Sequence, residues 1–157
     1  MRTRTKRAVG LALIVGLVAL IPLTQATAGG IVSLGAALTG DTEAPGPGDP
    51  NGMGTALIDL DTINDEVCFD LSWNLIGRPL AAHIHKGTVG VAGPVRVELF
   101  ASSRPLPKTI KAVQGCVRGV DSDLIDRIAA NPQRYYVNVH TAAYPAGAIR
   151  GQLALVP

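Results

Sequence analysis

From residue 29 onward, apolar and polar positions alternate with the period of strands rather than helices. The segment Glu66–Asn74 is the clearest case: Val67, Phe69, Leu71 and Trp73 fall on one face, and Cys68, Asp70, Ser72 and Asn74 on the other. One apolar and one polar face predict an antiparallel sheet with a solvated side. Residues 31–38, 55–60, 80–85, 94–100, 112–117, 135–140 and 148–155 read as further strands, which makes eight. Residues 39–54 hold Pro45, Pro47 and Pro50 with Gly40, Gly46, Gly48, Gly52 and Gly54, so they predict a surface loop. One helix is expected: Asp121 caps its start, Leu124, Ile125 and Ile128 form its inward face, and Asn131-Pro132 ends it. Short strands joined by Gly/Pro turns predict an all-β fold, an antiparallel Greek-key β-sandwich or barrel of about eight strands with one short helix.

Residues 1–28 break this pattern. Arg2, Arg4, Lys6 and Arg7 precede an apolar run of about 16 residues, and Ala26-Thr27-Ala28 supplies small residues before a cut ahead of Gly29. The run is short of the ~20 residues that span a bilayer. The chain therefore divides into a secretory signal peptide, residues 1–28, and one domain, residues 29–157. Membrane attachment is expected only if the leader stays uncleaved. The leader carries four of the 14 basic residues and none of the 12 acidic ones, so the remainder is slightly acidic, at −2. That balance argues against a nucleic-acid partner, which needs a basic face. Export in turn fixes the reading of the two cysteines. Cys68 and Cys116 form one disulfide by default, worth ~4 kcal/mol on the chain-entropy view of loop closure.

Candidate chemistry centres on three histidines, His83, His85 and His140, all in or at the ends of expected strands. His83 and His85, two positions apart, share a face. With His140 from a neighbouring strand they would suit a copper or zinc ion and leave a coordination position open. Alternatively, His83 and His85 brace the turn at residues 86–93 through backbone hydrogen bonds. Asp59 and Asp61 read as a solvated face before a cation site. Asp121, Asp123 and Asp126 read as helix-start acids. Ser102 and Ser103 lack the G-x-S-x-G setting of a hydrolase nucleophile. Arg150, in the last expected strand, is either paired within the sheet or aimed at an anion. Tyr135, Tyr136 and Trp73 read as core or rim aromatics.

The chain resembles the CHRD (chordin-type) domain family. The resemblance rests on Leu38-Thr39-Gly40 with Glu43 and Pro45, on Ala82-His83-Ile84-His85-Lys86-Gly87, and on Gly93-Pro94-Val95. Further matching stretches are Gly115-Cys116-Val117, Asn131-Pro132, Tyr135-Tyr136-Val137-Asn138-Val139-His140-Thr141 and Tyr144 to Leu153, with Ala148 standing where an acidic residue is usual. It implies an exported all-β domain without an established reaction. A more distant likeness is to copper/zinc superoxide dismutase. It implies copper-ligand roles for His83, His85 and His140 and an anion-steering role for Arg150; the bridging histidine and the zinc ligands have no counterpart. The first functional expectation is therefore a non-enzymatic, secreted or periplasmic module that binds an extracellular protein or a cell-envelope component through residues 39–54 and 86–93. The alternative is a copper- or zinc-binding domain through the three histidines, with oxidoreductase chemistry of superoxide dismutase type.

Overall fold

The structure, a computed structural model, describes residues 29–156; the leader expected over residues 1–28 lies outside the described residues. The strands are β1 (Ile31–Thr39), β2 (Met53–Asp61), β3 (Glu66–Asn74), β4 (Pro79–Lys86), β5 (Val95–Ala101), β6 (Ala112–Arg118), β7 (Tyr135–Thr141), β8 (Ile149–Gln152) and β9 (Ala154–Leu155). A helix, α1 (Ser122–Ala130), and a 3-10 turn, Pro132–Arg134, lie between β6 and β7. The strands form one antiparallel sheet in the order β5-β4-β7-β8-β1-β2-β3-β6, with β9 attached to β1. The edge strands β5 and β6 curl round into contact, so the sheet is a nearly closed barrel.

Alternation decides what fills it. Ala56, Ile58 and Leu60 of β2, Val67, Phe69, Leu71 and Trp73 of β3, Ala82 and Ile84 of β4, and Val137 and Val139 of β7 all point into a single core. Leu124, Ile125 and Ile128 join it from α1, whose first turn is capped by the Asp121 carboxylate accepting from the Leu124 N–H at 2.7 Å. The expected helix and its cap are therefore present, as is the all-β architecture.

One expected strand divides in two. Residues 148–155 break at Leu153, which buries its side chain in the core and donates its N–H to the Tyr135 carbonyl at 3.0 Å. That bond continues the β7–β8 register by one position, after which the chain changes partner and Ala154–Leu155 pairs with β1. Cys68 and Cys116 face each other across the β3/β6 ladder and are joined by a disulfide. The bridge lies on the outer face of β3 and ties in β6, an edge strand of the sheet. Among the described residues no helix is long and apolar enough to cross a membrane.

The outer face of β4, β7 and β8 departs from the usual solvated exterior. β7 is buried at nearly every position, on both its faces. Val137 and Val139 look inward, so Tyr136, Asn138 and His140 look outward. Two loops cover that outward face. Residues 40–52 lie against β8, with the Asp49 N–H donating to the Ala148 carbonyl at 2.8 Å. Residues 87–94 lie over β7, with the Gly93 N–H donating to the Tyr136 hydroxyl at 3.2 Å.

Candidate metal centre

Strand register places the polar residues of this covered face. His83 pairs across the ladder with Asn138, and Asn138 with Arg150; His85 pairs with Tyr136, and Tyr136 with Gln152. His140 lies opposite Ala81, diagonal to His83 and within side-chain reach of it. The β4–β5 ladder slips on both sides of the His83–Ile84 step. Irregular pairing of this kind re-aims side chains and is common beside functional sites.

The three histidines therefore meet. Their ring centroids are 4.8 Å apart for His83 and His140, 5.6 Å for His83 and His85, and 6.2 Å for His85 and His140. One ring nitrogen from each falls within 4.8 Å of the others. A tetrahedral ion with bonds of ~2.0–2.1 Å sets its donor atoms ~3.3 Å apart, so modest side-chain rotation closes the set around a metal.

Hydrogen bonding decides which nitrogens are available. His85 donates its Nδ1–H to the Gly93 carbonyl at 2.8 Å, and His140 donates its Nδ1–H to the Pro145 carbonyl at 3.0 Å. Both rings are thus held in the tautomer that leaves Nε2 as a lone pair. His85 Nε2 is buried and accepts no hydrogen bond. His83 therefore donates its Nδ1–H to His140 Nε2 at 3.0 Å and turns Nε2 toward the Glu98 carboxylate at 3.9 Å, so ligation through Nδ1 requires its proton to move to Nε2 on the Glu98 side. Carbonyl or carboxylate partners on the outward nitrogens are the arrangement that orients metal-binding imidazoles and raises their basicity. His85 is 8% exposed, whereas His83 and His140 lie nearer the surface and leave a way in.

The rings are also held neutral. Burial, and then the neighbouring His140 and His85, lower the His83 pKa to about 4. Burial is likewise the main cause that lowers His85 and His140 below the ordinary imidazole value. An unprotonated imidazole is the ligating form.

This has a consequence for stability. The unfolded chain takes up these protons near pH 6.5 while the folded chain resists until about pH 4 in the case of His83. The contribution is full above pH 6.5 and is lost as pH falls through that window. Glu43, whose pKa burial raises, acts in the opposite sense. We predict that the metal-free protein loses melting temperature between pH 6.5 and 4.5, and that His83→Gln loses less of it over the same interval. Parallel curves for the two proteins would contradict the assignment.

The remaining candidates do not join the centre. Asp59 accepts a hydrogen bond from the Ser33 hydroxyl at 2.6 Å on the exposed face of β2. Asp61 caps the following turn, accepting from the Ile63 and Asn64 N–H groups and from the Asn64 amide. Ser102 donates to the Arg104 carbonyl within its loop. Glu66 lies beside Cys68 and Cys116, but the disulfide has already used both sulfurs.

Arg150 is enclosed at 1% exposure. Its Nη2 donates to the Thr88 carbonyl at 2.8 Å, and its guanidinium sits 3.4 Å over the Tyr136 ring. Tyr136 in turn stacks on His85, with centroids 4.8 Å apart and planes 11° from parallel. Trp73 and Tyr135 are core residues, so of these three aromatic rings only Tyr136 joins the imidazoles in shaping the site.

The sequence pattern alone did not bring out Glu43, Asn138 or the Gly93 and Pro145 carbonyls. Asn138 could have been found, because it shares the alternating face of β7 with Tyr136 and His140. Glu43 was marked only by the family resemblance and by no periodicity, since it reaches the site through the folding of a loop.

The sequence model of the CHRD domain family matches residues 34–153, and the chain belongs to that family. No curated protein and no solved structure matches it. The stretches that carry the family resemblance, around Glu43, His83, His85, Gly93, Asn138, His140 and Arg150, come from distant parts of the chain and gather on this one face.

Proposed function

We propose that this CHRD domain is an exported metal-binding domain that holds one copper or zinc ion through His83 Nδ1, His85 Nε2 and His140 Nε2. One observation carries the reading: two of the three rings are locked by backbone carbonyls into the tautomer that leaves Nε2 unprotonated, and of these two nitrogens that of His140 meets His83 while that of His85 has no partner. Bracing a turn explains the Nδ1 contacts of His85 and His140. It does not explain a buried, unpartnered His85 Nε2 facing two further imidazoles. Three protein nitrogens leave a fourth position open, which is the setting for Lewis-acid or redox chemistry at a bound metal. The Cys68–Cys116 bridge supports an oxidising compartment, outside the cytoplasm or in the envelope.

The test is metal analysis of protein purified from the exported fraction, followed by titration of stripped protein with copper and zinc. One equivalent bound per chain is expected. No binding, or loose uptake of several ions, would remove the proposal.

A second reading, that the domain binds an extracellular protein or an envelope component, is favoured by one feature. Val89, Val91 and Val95, in and next to the 87–94 loop, are 76%, 50% and 48% exposed, an apolar rim beside the site. Capture of an envelope partner that is lost when Val89 and Val91 become serine, with the histidines untouched, would support it.

A further inference from the structure

We infer that Glu43 and Arg150 form a buried clasp that fastens the 40–52 and 87–94 loops together over the three histidines, and that Glu43 is thereby a positioning residue for His85. The inference rests on the metal-binding reading for its second half only.

Glu43 and Arg150 are 7% and 1% exposed, a costly placement for opposite charges unless the surrounding groups compensate. Arg150 is held from both loops. Its guanidinium donates to the Thr88 carbonyl in one, and its own carbonyl accepts from the Thr42 hydroxyl of the other at 2.5 Å. The Glu43 carboxylate takes the Ala44 N–H at 3.0 Å, packs against Gly147 close to where the Asn138 amide donates to the Ala146 carbonyl, and feels the Arg150 charge without a direct hydrogen bond or close ion pair to it. Asn138 is also next to His85, and the Arg150 charge acts on His85 as well. From Arg150 a second line runs through the stacked Tyr136 ring to His85, whose Nδ1–H is held by Gly93 of the 87–94 loop.

One buried polar atom on each of Glu43, Asn138, Arg150 and His85 has no hydrogen-bond partner among the described residues, and strand register sets Asn138 directly beside Arg150 on this covered face. Gly147 makes room for Glu43 there. Its φ of +146° suits glycine, and a Cβ there would overlap the Glu43 carboxylate.

Amide hydrogen exchange on the metal-free parent and on Glu43→Gln tests the clasp. In the parent, the Asp49 and Gly52 N–H groups of one loop and the Gly87 and Gly93 N–H groups of the other are expected to open with a common rate. In Glu43→Gln both sets should exchange faster. Independent exchange in the parent, or acceleration confined to residues 40–52, would overturn the clasp; the parent measurement decides this even if the variant does not fold.

Zinc release to a chelator and the copper(II) visible band test the positioning of His85. Glu43→Gln is expected to release zinc roughly 10- to 100-fold faster and to shift the band. Release and spectrum equal to those of the parent would overturn the positioning role while leaving the metal centre standing. A parent that binds neither metal would instead remove the metal-binding reading and the positioning role together, with the loop clasp still decided by exchange.

Discussion

His140→Ala is expected to weaken zinc binding on the order of 100-fold, with His83→Ala close behind and the barrel intact. Structural zinc sites with four ligands gain ~10–16 kcal/mol, so one ligand is worth ~3 kcal/mol, or about two decades in affinity. His140 is placed first because its Nε2 lies 3.0 Å from His83 Nδ1, and its loss unseats two donors rather than one. Among the described residues its Nδ1 contact to the Pro145 carbonyl is the only bond the ring gives to the surrounding backbone, so truncation should not cost the fold much. The parent should gain ~2.7 kcal/mol at 100-fold excess over the dissociation constant, which is roughly 8 °C of melting temperature for a domain of this size. The variant should show no comparable zinc-dependent rise at the same concentration. Equal upward shifts in parent and variant would mean that the metal sits elsewhere.

Cys68→Ser is expected to lower stability by ~4 kcal/mol under non-reducing conditions, and the melting temperature by about 10 °C or more. The bridge closes a separation of 48 residues, which restricts the unfolded chain strongly on the chain-entropy account. Its place in the fold adds to the effect. Among the described residues β6 is hydrogen-bonded in the sheet only to β3, and the disulfide joins the two at directly opposed positions. Without it the edge strand is the first element free to peel away, and the gap between β5 and β6 would widen. The parent melted in reductant should fall to the value of the variant. Coincident melts of parent and variant without reductant would show that the sulfurs are not bridged.

How far the sequence alone led depended on how local each signal was. Glu66–Asn74 is a strand because Val67, Phe69, Leu71 and Trp73 must be buried together, and any reading of period two finds it. α1 was equally legible, since its cap at Asp121 and its three buried positions lie within one short segment. The last strand was harder. Leu153 continues the apolar pattern and still bonds to Tyr135 of β7, but the next two residues pair with β1 instead, an exchange of partner strand that no local pattern encodes.

The site was half legible for the same reason. His83 and His85 share a face by spacing alone, and His140 follows once β7 is placed beside β4. The covered outer face was not legible. Residues 39–54 have the composition of a surface loop, and 40–52 form one while Thr39 and Met53-Gly54 belong to β1 and β2; yet Glu43 within the loop is buried near Arg150, which is far away in sequence. The stack from Arg150 through Tyr136 to His85 likewise depends on three strands packing in one order, a property of topology rather than of any motif.

The metal's position can be measured directly by diffraction from zinc-loaded crystals at the zinc absorption edge. A single anomalous peak is predicted, ~2.0–2.1 Å from His83 Nδ1, His85 Nε2 and His140 Nε2 together. Zinc bound only at other surface groups, with His83 still hydrogen-bonded to His140, would contradict the account.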